Sequence, residues 1–414
     1  MRVLHVCYSD DLGGAARATS RIVEAQRLVG IEAFLLVKVK ATNSEVTFSI
    51  SENAFVSKIR GGIDSLVLSR KTKNGLGGYE MFSSNLLARD LTKIVDVEQF
   101  DLINLHWINF SMISIYKLNK INQPIFWTHH DMWALTGGCH YNQVCQRFND
   151  NCLNCPIFSK KESPASRNFL KKRTLYKGKT FYHISPSSWL RQILDSSKLI
   201  SGEIVTQIFN PIDLDIFYPQ NKSSAKTELG INSSNIVVGF GAINSRTNPR
   251  KGYAILKEAI NLVLAENQLP EKKIVFMVFG SEPEISDNYI STGYIRGEEK
   301  LVTFYSACDV FVIPSLQDNL PNTAIESLAC GTPVVSFNIG GMKDLIVSRY
   351  NGILIEDRSP ERLAYHILEA LKSPSMAINA RKFAENNFSY TKIGNEYKDF
   401  YLRYITKSKL GEKR

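Results

Sequence analysis

No apolar run in this sequence reaches the roughly 18 to 20 residues that a membrane span needs, so no membrane-spanning helix is expected. The run Val3 to Tyr8 in "MRVLHVCYSDDLGG" is only six residues long before charge appears. That is too short for the apolar region of a secretory signal, and the expected compartment is the cytoplasm. Acidic side chains are the scarcer sign: 40 Asp and Glu against 50 Lys and Arg leave a formal net charge of +10. Such a balance suits a nucleotide, a nucleic acid or an acidic lipid surface without choosing among them. The cysteines number seven, an odd count that excludes a fully paired disulfide framework within one chain and favours thiols or metal. No internal repeat or low-complexity tract interrupts the chain.

What is present is a long, ordinary globular composition. With 414 residues the chain exceeds what one hydrophobic core usually serves, so two domains of roughly 200 residues each are expected. Apolar β-rich runs alternate with helical patterns: "RVLHVC", an amphipathic stretch from Ala15 to Val29 closed by Gly30, "AFLLVKV", "DLINLHW" and "IFWTHH". A second series runs through "NIVVGFGA", "KIVFMVFG", "DVFVIPS", "PVVSFN" and "GILI". Alternation of this kind predicts parallel sheets covered by helices, and hence two doubly wound α/β domains. The Pro-, Asn- and Ser-rich stretch Asn210 to Ser234 separates the two series, and places domains at 1–212 and 213–389. A terminal segment, 390–414, is expected to pack back on the first domain.

The stretch "IPSLQDNLPNTAIESLACGTPVVSFNIGG", Ile313 to Gly341, carries the most chemistry. A buried-type strand leads through a turn into a helix stopped by Gly331, and ligands of open α/β sheets bind at such carboxyl ends of strands. Backbone N–H groups around Pro321, Asn322 and Thr323 open the helix and can receive a phosphate without a basic side chain. Glu326, one turn in, can accept hydrogen bonds from two adjacent ribose hydroxyls. Asp318 precedes the helix, on the side where a sugar attached to the diphosphate would sit. Elsewhere, Gly13 and Gly14 head a helix after the first strand, where bare backbone can approach a ligand closely. Arg246, Arg250 and Lys251 follow the first strand of the second series, where cations can neutralise a leaving diphosphate.

Taken together, Pro314, Ser315, Asp318, Glu326, Ala329, Gly331, Pro333 and Val334 resemble the donor-binding signature of retaining, GT-B-type glycosyltransferases of group 1, also called family 4. The departure is Asp318, where that family usually has Glu. The resemblance extends in order along nearly the whole chain and implies two Rossmann-like domains facing across a cleft. It makes Lys251, preceding Gly252, the donor-phosphate lysine, with Arg246 or Arg250 beside it. Tyr294 and Ile295 become candidates to present backbone to the nucleobase. His130 and Asp131 match the family's His-Asp pair, in which the His touches the donor sugar near the transferred carbon; His129 is expected on the opposite side of the strand. The implied activity is transfer of a hexosyl unit from a UDP or GDP sugar to a saccharide or lipid-linked saccharide, in bacterial polysaccharide or exopolysaccharide assembly. No divalent metal is implied for the reaction.

Cys139, Cys145, Cys152 and Cys155 lie at spacings that suit a structural tetrahedral zinc site, with two disulfides or four plain thiols as alternatives. The basic run Ser159 to Lys179, with Phe169, Leu170, Leu175 and Tyr176 interspersed, is a candidate for peripheral contact with an anionic membrane at the cytoplasmic face. Two rival functions are a sugar-nucleotide epimerase or hydrolase of the same fold, and a zinc-bearing nucleic-acid-binding protein. The second leaves the two-carboxylate helix start unexplained and lacks the interleaved basic and aromatic pattern of RNA readers, so nucleic acid is not the expected partner.

Overall fold

On the first strand, β1 (Arg2–Ser9), residues Val3, Leu4, Val6 and Cys7 are all buried, as they must be in a strand covered on both faces. Val3 and Cys7 pack with Ile22 and Val23 on one side. Leu4 and Val6 pack with Leu105, Ile125 and Trp127 on the other. The computed structural model describes residues 1–50, 81–85, 87–158, 160–241, 248–266, 272–280, 284–286 and 288–409. These divide into two units, Met1–Phe209 with Thr391–Arg414, and Asn210–Tyr390.

In the first unit β1 is joined by β2 (Glu32–Val39), β3 (Thr47–Ser49), β4 (Leu102–Leu105), β5 (Ile125–Thr128), β6 (Phe181–Ser185) and β7 (Ile204–Gln207). They form one sheet in the order β3-β2-β1-β4-β5-β6-β7, with every pairing parallel. The order reverses between β1 and β4, the switch point at which such sheets open a crevice. Helix Gly14–Leu28 covers one face. On that face it meets the C-terminal helix Tyr390–Lys409, whose Ile393, Tyr397 and Tyr401 complete the core. A side chain at Gly394 would stand 2.3 Å from the Ala25 carbonyl oxygen, so glycine there permits the two helices to touch.

The second unit contains β8 (Ile236–Gly241), β9 (Ile274–Phe279), β10 (Glu284–Ser286), β11 (Tyr289–Ser291), β12 (Val310–Ile313), β13 (Val334–Phe337) and β14 (Gly352–Ile355). Their order is β10-β11-β9-β8-β12-β13-β14. All pairs are parallel except the edge hairpin β10–β11. Its switch point lies between β8 and β12.

The stretch 210–234 does not behave as a bare connector. Phe217 is buried, and Arg381 donates to the carbonyls of Leu214 at 3.3 Å, Phe217 at 2.6 Å and Ala329 at 2.9 Å. Lys222 and Lys226 each reach Asp309 at 2.9 Å. The basic run gives another difference. Its helix Pro164–Gly178 buries Phe169, Leu175 and Tyr176 in the first core. Those apolar residues therefore serve the fold, and only Leu170 among them is exposed. Among the described residues no helix is long and apolar enough to cross a membrane.

Candidate functional site

At the β8/β12 switch point two loops meet. Asn248 caps the turn Pro249–Lys251 by accepting from the Arg250 N–H at 3.1 Å, and the loop after β12 bonds to it through Leu316 N–H to the Arg250 carbonyl at 2.8 Å. The contact brings Lys251 Nζ to 2.7 Å and Arg250 to 3.4 Å from the Asp318 carboxylate. Arg250 also donates to the Gln317 carbonyl at 2.7 Å. Burial pushes the Asp318 carboxyl up, but Lys251 and Arg250 more than offset it and hold it below the usual carboxylate range. Arg246 lies outside the described residues.

Two glycines permit this approach. Gly252 has φ +69°, and a Cβ there would fall 1.9 Å from the Pro314 carbonyl oxygen; Gly340 has φ +51°, and its Cβ would fall 1.7 Å from that of Asp318. Both conformations are left-handed, and both positions leave no room for a side chain.

The same loop runs into helix Asn322–Ala329, with Pro321 preceding its first turn. The Asn322 side chain accepts from Asn210 at 3.1 Å, and Thr323 follows it in the opening turn. Glu326 is buried, and the Tyr305 hydroxyl donates to its Oε2 at 2.9 Å. Tyr294 is exposed and Ile295 partly so. They follow Gly293, whose carbonyl accepts from Gly280 N–H at 2.8 Å at the end of β9.

In the first unit Gly13, at φ +96°, ends the loop after β1 and lets helix Gly14–Leu28 begin. His130 follows β5, and its Nε2 stands 3.0 Å from His106 Nδ1 and 3.5 Å from Thr19 Oγ1. His129 lies across the strand from it, stacked on Trp127 and 2.8 Å from His183. Burial lowers His130 to about 4, which Asp131 counters in part. Asp131 itself is committed inward, accepting from Trp107 Nε1 at 2.7 Å, from Trp133 N–H at 2.8 Å and meeting His140 Nδ1 at 2.6 Å. It braces the segment that follows His130.

Residues 234–373 match the family model for glycosyl transferases group 1. Most of the second unit is thus similar to a group 1 glycosyl transferase domain. Among relatives, a D-inositol 3-phosphate glycosyltransferase of Segniliparus rotundus is 31% identical over 175 residues, 39% of this chain and 38% of that protein. One from Catenulispora acidiphila is 28% identical over 42% of this chain and 44% of its own. The chain thus spans less than half the length of these curated relatives. The fold is that of GT-B glycosyltransferases. A sucrose-phosphate synthase from Thermosynechococcus elongatus superposes with TM-score 0.67 at 16% identity, covering 98% of this chain and 99% of that one. Anabaena HepE, solved with UDP, gives 0.62 at 15% identity over 97% and 100%.

Within the second unit the sequence motifs single out Lys251, Asp318 and Glu326 but not their mutual contacts, nor Tyr305, Gly252 and Gly340 as the groups that hold them. The signal for Gly340 was available in the "IGG" that ends the quoted stretch. In the first unit, His5, Gln26 and His106 also went unrecognised. The four cysteines do gather, together bordering one small cavity of ≈ 20 Å³ with Thr136, Arg147 and Phe148. All four are free thiols. Burial raises Cys152 to about 12 and Cys139 and Cys155 upward as well. Among the described residues no group of three or more His, Cys, Asp or Glu is arranged to hold a metal ion. The four cysteines of the expected zinc set thus line one cavity together.

Proposed function

We propose that this chain is a retaining glycosyltransferase that moves a hexosyl unit from a UDP or GDP sugar to a hydroxyl of a saccharide or lipid-linked saccharide in polysaccharide assembly. The observation that carries this reading is the buried meeting of Lys251 and Arg250 with Asp318 at the β8/β12 switch point. The loop that bears Asp318 leads directly into the N-terminus of helix Asn322–Ala329. Two cations and a helix start at one crevice are suited to a diphosphate. Lys251 has three N–H donors, so its pairing with Asp318 is compatible with a further bond to phosphate. Asp318 then orients both cations, and Glu326, steadied by Tyr305, takes the ribose hydroxyls. That Anabaena HepE, of the same fold, was solved with UDP and with UDP-glucose supports a nucleotide-sugar donor.

In the reaction the bond from the sugar C1 to the diphosphate oxygen breaks and the acceptor oxygen bonds to C1 on the same face. The acceptor proton passes to the departing diphosphate. Lys251, Arg250 and the helix N-terminus stabilise the negative charge that develops there, so the transfer is proposed to run without a divalent metal. The first unit's own crevice, at the ends of β1 and β5, is assigned to sugar hydroxyls, with Gly13 and Gly14 offering backbone and His130 a ring nitrogen. The test is release of UDP or GDP from a panel of nucleotide sugars, with and without saccharide acceptors. Acceptor-dependent release with retained anomeric configuration is the expected result. Equal release without any acceptor would replace transferase by hydrolase, and conversion of the sugar with no net release would replace it by epimerase.

A further inference from the structure

Three histidine rings from three neighbouring strands stand in series inside the first unit. His5 lies on β1, His106 immediately follows β4 and His130 follows β5. His5 Nδ1 is 2.9 Å from His106 Nε2, and His106 Nδ1 is 3.0 Å from His130 Nε2. The rings also stack, with centroids 5.2 Å and 5.3 Å apart. At the inner end His5 Nε2 is 3.0 Å from Gln26 Oε1, while the Gln26 amide nitrogen donates to the Tyr401 hydroxyl at 3.1 Å. Asn104 donates to that same hydroxyl at 2.7 Å, and its own carbonyl accepts from Thr128 at 3.2 Å.

A neutral imidazole has one donor nitrogen and one acceptor nitrogen. Burial lowers His5 and His130 to about 4 and His106 well below its ordinary value, so near pH 7 all three are neutral. Each link then holds one proton, and the protons of such a series must all point the same way. With the Gln26 oxygen facing His5, His5 donates from Nε2 and accepts at Nδ1. His106 consequently donates from Nε2, and so does His130. The acceptor nitrogen of His130 is thereby Nδ1.

We infer that Gln26, acting through His5 and His106, sets the tautomer of His130, making these three positioning residues for the ring at the β5 end of the crevice. A fixed tautomer gives His130 a defined acceptor for a hydroxyl donor, where an unordered ring would present acceptor and donor in turn. That use of the nitrogen rests on the glycosyl-transfer reading above; the ordering itself does not.

The test is nitrogen-15 NMR of the full chain with labelled histidine, in which long-range ring couplings distinguish the Nε2–H from the Nδ1–H tautomer. Single His→Gln variants assign the signals. His5, His106 and His130 are all expected as Nε2–H in the unaltered protein. A single Nδ1–H ring among them, or all three as Nδ1–H, overturns the ordering without any need for a variant. In Gln26→Leu the His130 signal is expected to become a mixture of tautomers, whereas Gln26→Glu, which keeps an acceptor oxygen toward His5, is expected to restore Nε2–H. A folded Gln26→Leu protein with His130 still purely Nε2–H would also overturn the inference. If the unaltered protein turns over no nucleotide sugar while the three tautomers are as expected, the transferase reading fails and the ordering stands. Where turnover is present, Gln26→Leu should lower kcat about tenfold with the donor KM unchanged.

Discussion

Lys251 Nζ lies 2.7 Å from the Asp318 carboxylate, although the two residues are 67 positions apart. Both sit at carboxyl ends of strands that flank the switch point of the second sheet, and neither side chain is more than 18% exposed. A pair so placed is held by geometry that two glycines permit, and it leaves a carboxylate dependent on its cations.

Removing one partner should therefore cost more than removing both. Lys251→Met is expected to destabilise the second unit by about 3 kcal/mol, because a buried acid then loses the nearer of its two cations, Lys251 and Arg250. Lys251→Met with Asp318→Asn should recover a good part of that loss. Urea unfolding of the single and double variants measures the coupling. Additive losses would show that the pair contributes nothing jointly.

On the proposed donor site, Glu326→Ala removes two charge-assisted hydrogen bonds to ribose and should weaken nucleotide binding by roughly 2 to 4 kcal/mol, or about 30- to 1000-fold. Tyr305→Phe leaves the carboxylate in place but frees Oε2 of its 2.9 Å hydroxyl partner. Its effect on calorimetric nucleotide affinity should be smaller, about tenfold. A Tyr305→Phe loss as large as that of Glu326→Ala would make Tyr305 a ligand contact in its own right.

Gly340→Ala and Gly252→Ala should each lower stability by at least about 1–3 kcal/mol, since both combine a left-handed φ with a carbonyl oxygen in the space a methyl would fill. Gly13→Ala shares the positive φ but meets nothing within 4 Å, so it should fall at the low end. Thermal unfolding of the three proteins orders them. An equal cost at all three positions would mean that backbone conformation alone matters.

The first unit should be acid-labile. Burial holds His5 and His130 near 4, His183 near 3, and His106 and His129 well below 6.5. Each folded pKa is below its unfolded value, so between about pH 6.5 and 4 the unfolded chain binds protons that the folded chain refuses. Stability is full above that window and falls as pH drops through it, by up to about 1.4 kcal/mol per ring for each pH unit. Urea midpoints for this unit at pH 7.5 and 5.5 are expected to differ accordingly. Identical midpoints would contradict neutral burial.

Much of the architecture could be read from runs such as "DVFVIPS" and "KIVFMVFG", because a strand buried on both faces is apolar at nearly every position. The three-residue strands β3, β10 and β11 could not, being too short to show any period. The motif residues Lys251, Asp318 and Glu326 were likewise visible as residues. Their partners were not, since Tyr305 reaches Glu326 from a different helix and Lys251 reaches Asp318 between loops. His5 and His106 are 101 positions apart, and only the pairing of β1 with β4 makes them neighbours. Strand order is a property of the assembled sheet that no local pattern encodes. The basic helix Pro164–Gly178 shows the reverse difficulty: its apolar residues suggested an outside surface, yet Lys172 turns inward, donating to the carbonyls of Trp133 and Thr136.

The central claim is a nucleoside-diphosphate site at the Lys251–Asp318 crevice, and thermal unfolding of the purified chain against UDP, GDP, ADP and CMP tests it most directly. A ligand present at about 100 times its dissociation constant adds about 2.7 kcal/mol to the state it binds. The account predicts that UDP or GDP raises the transition of the second unit by several degrees, and that the rise is lost in Lys251→Ala and in Glu326→Ala. No rise with any of the four nucleotides, or a rise that both variants retain, would contradict it.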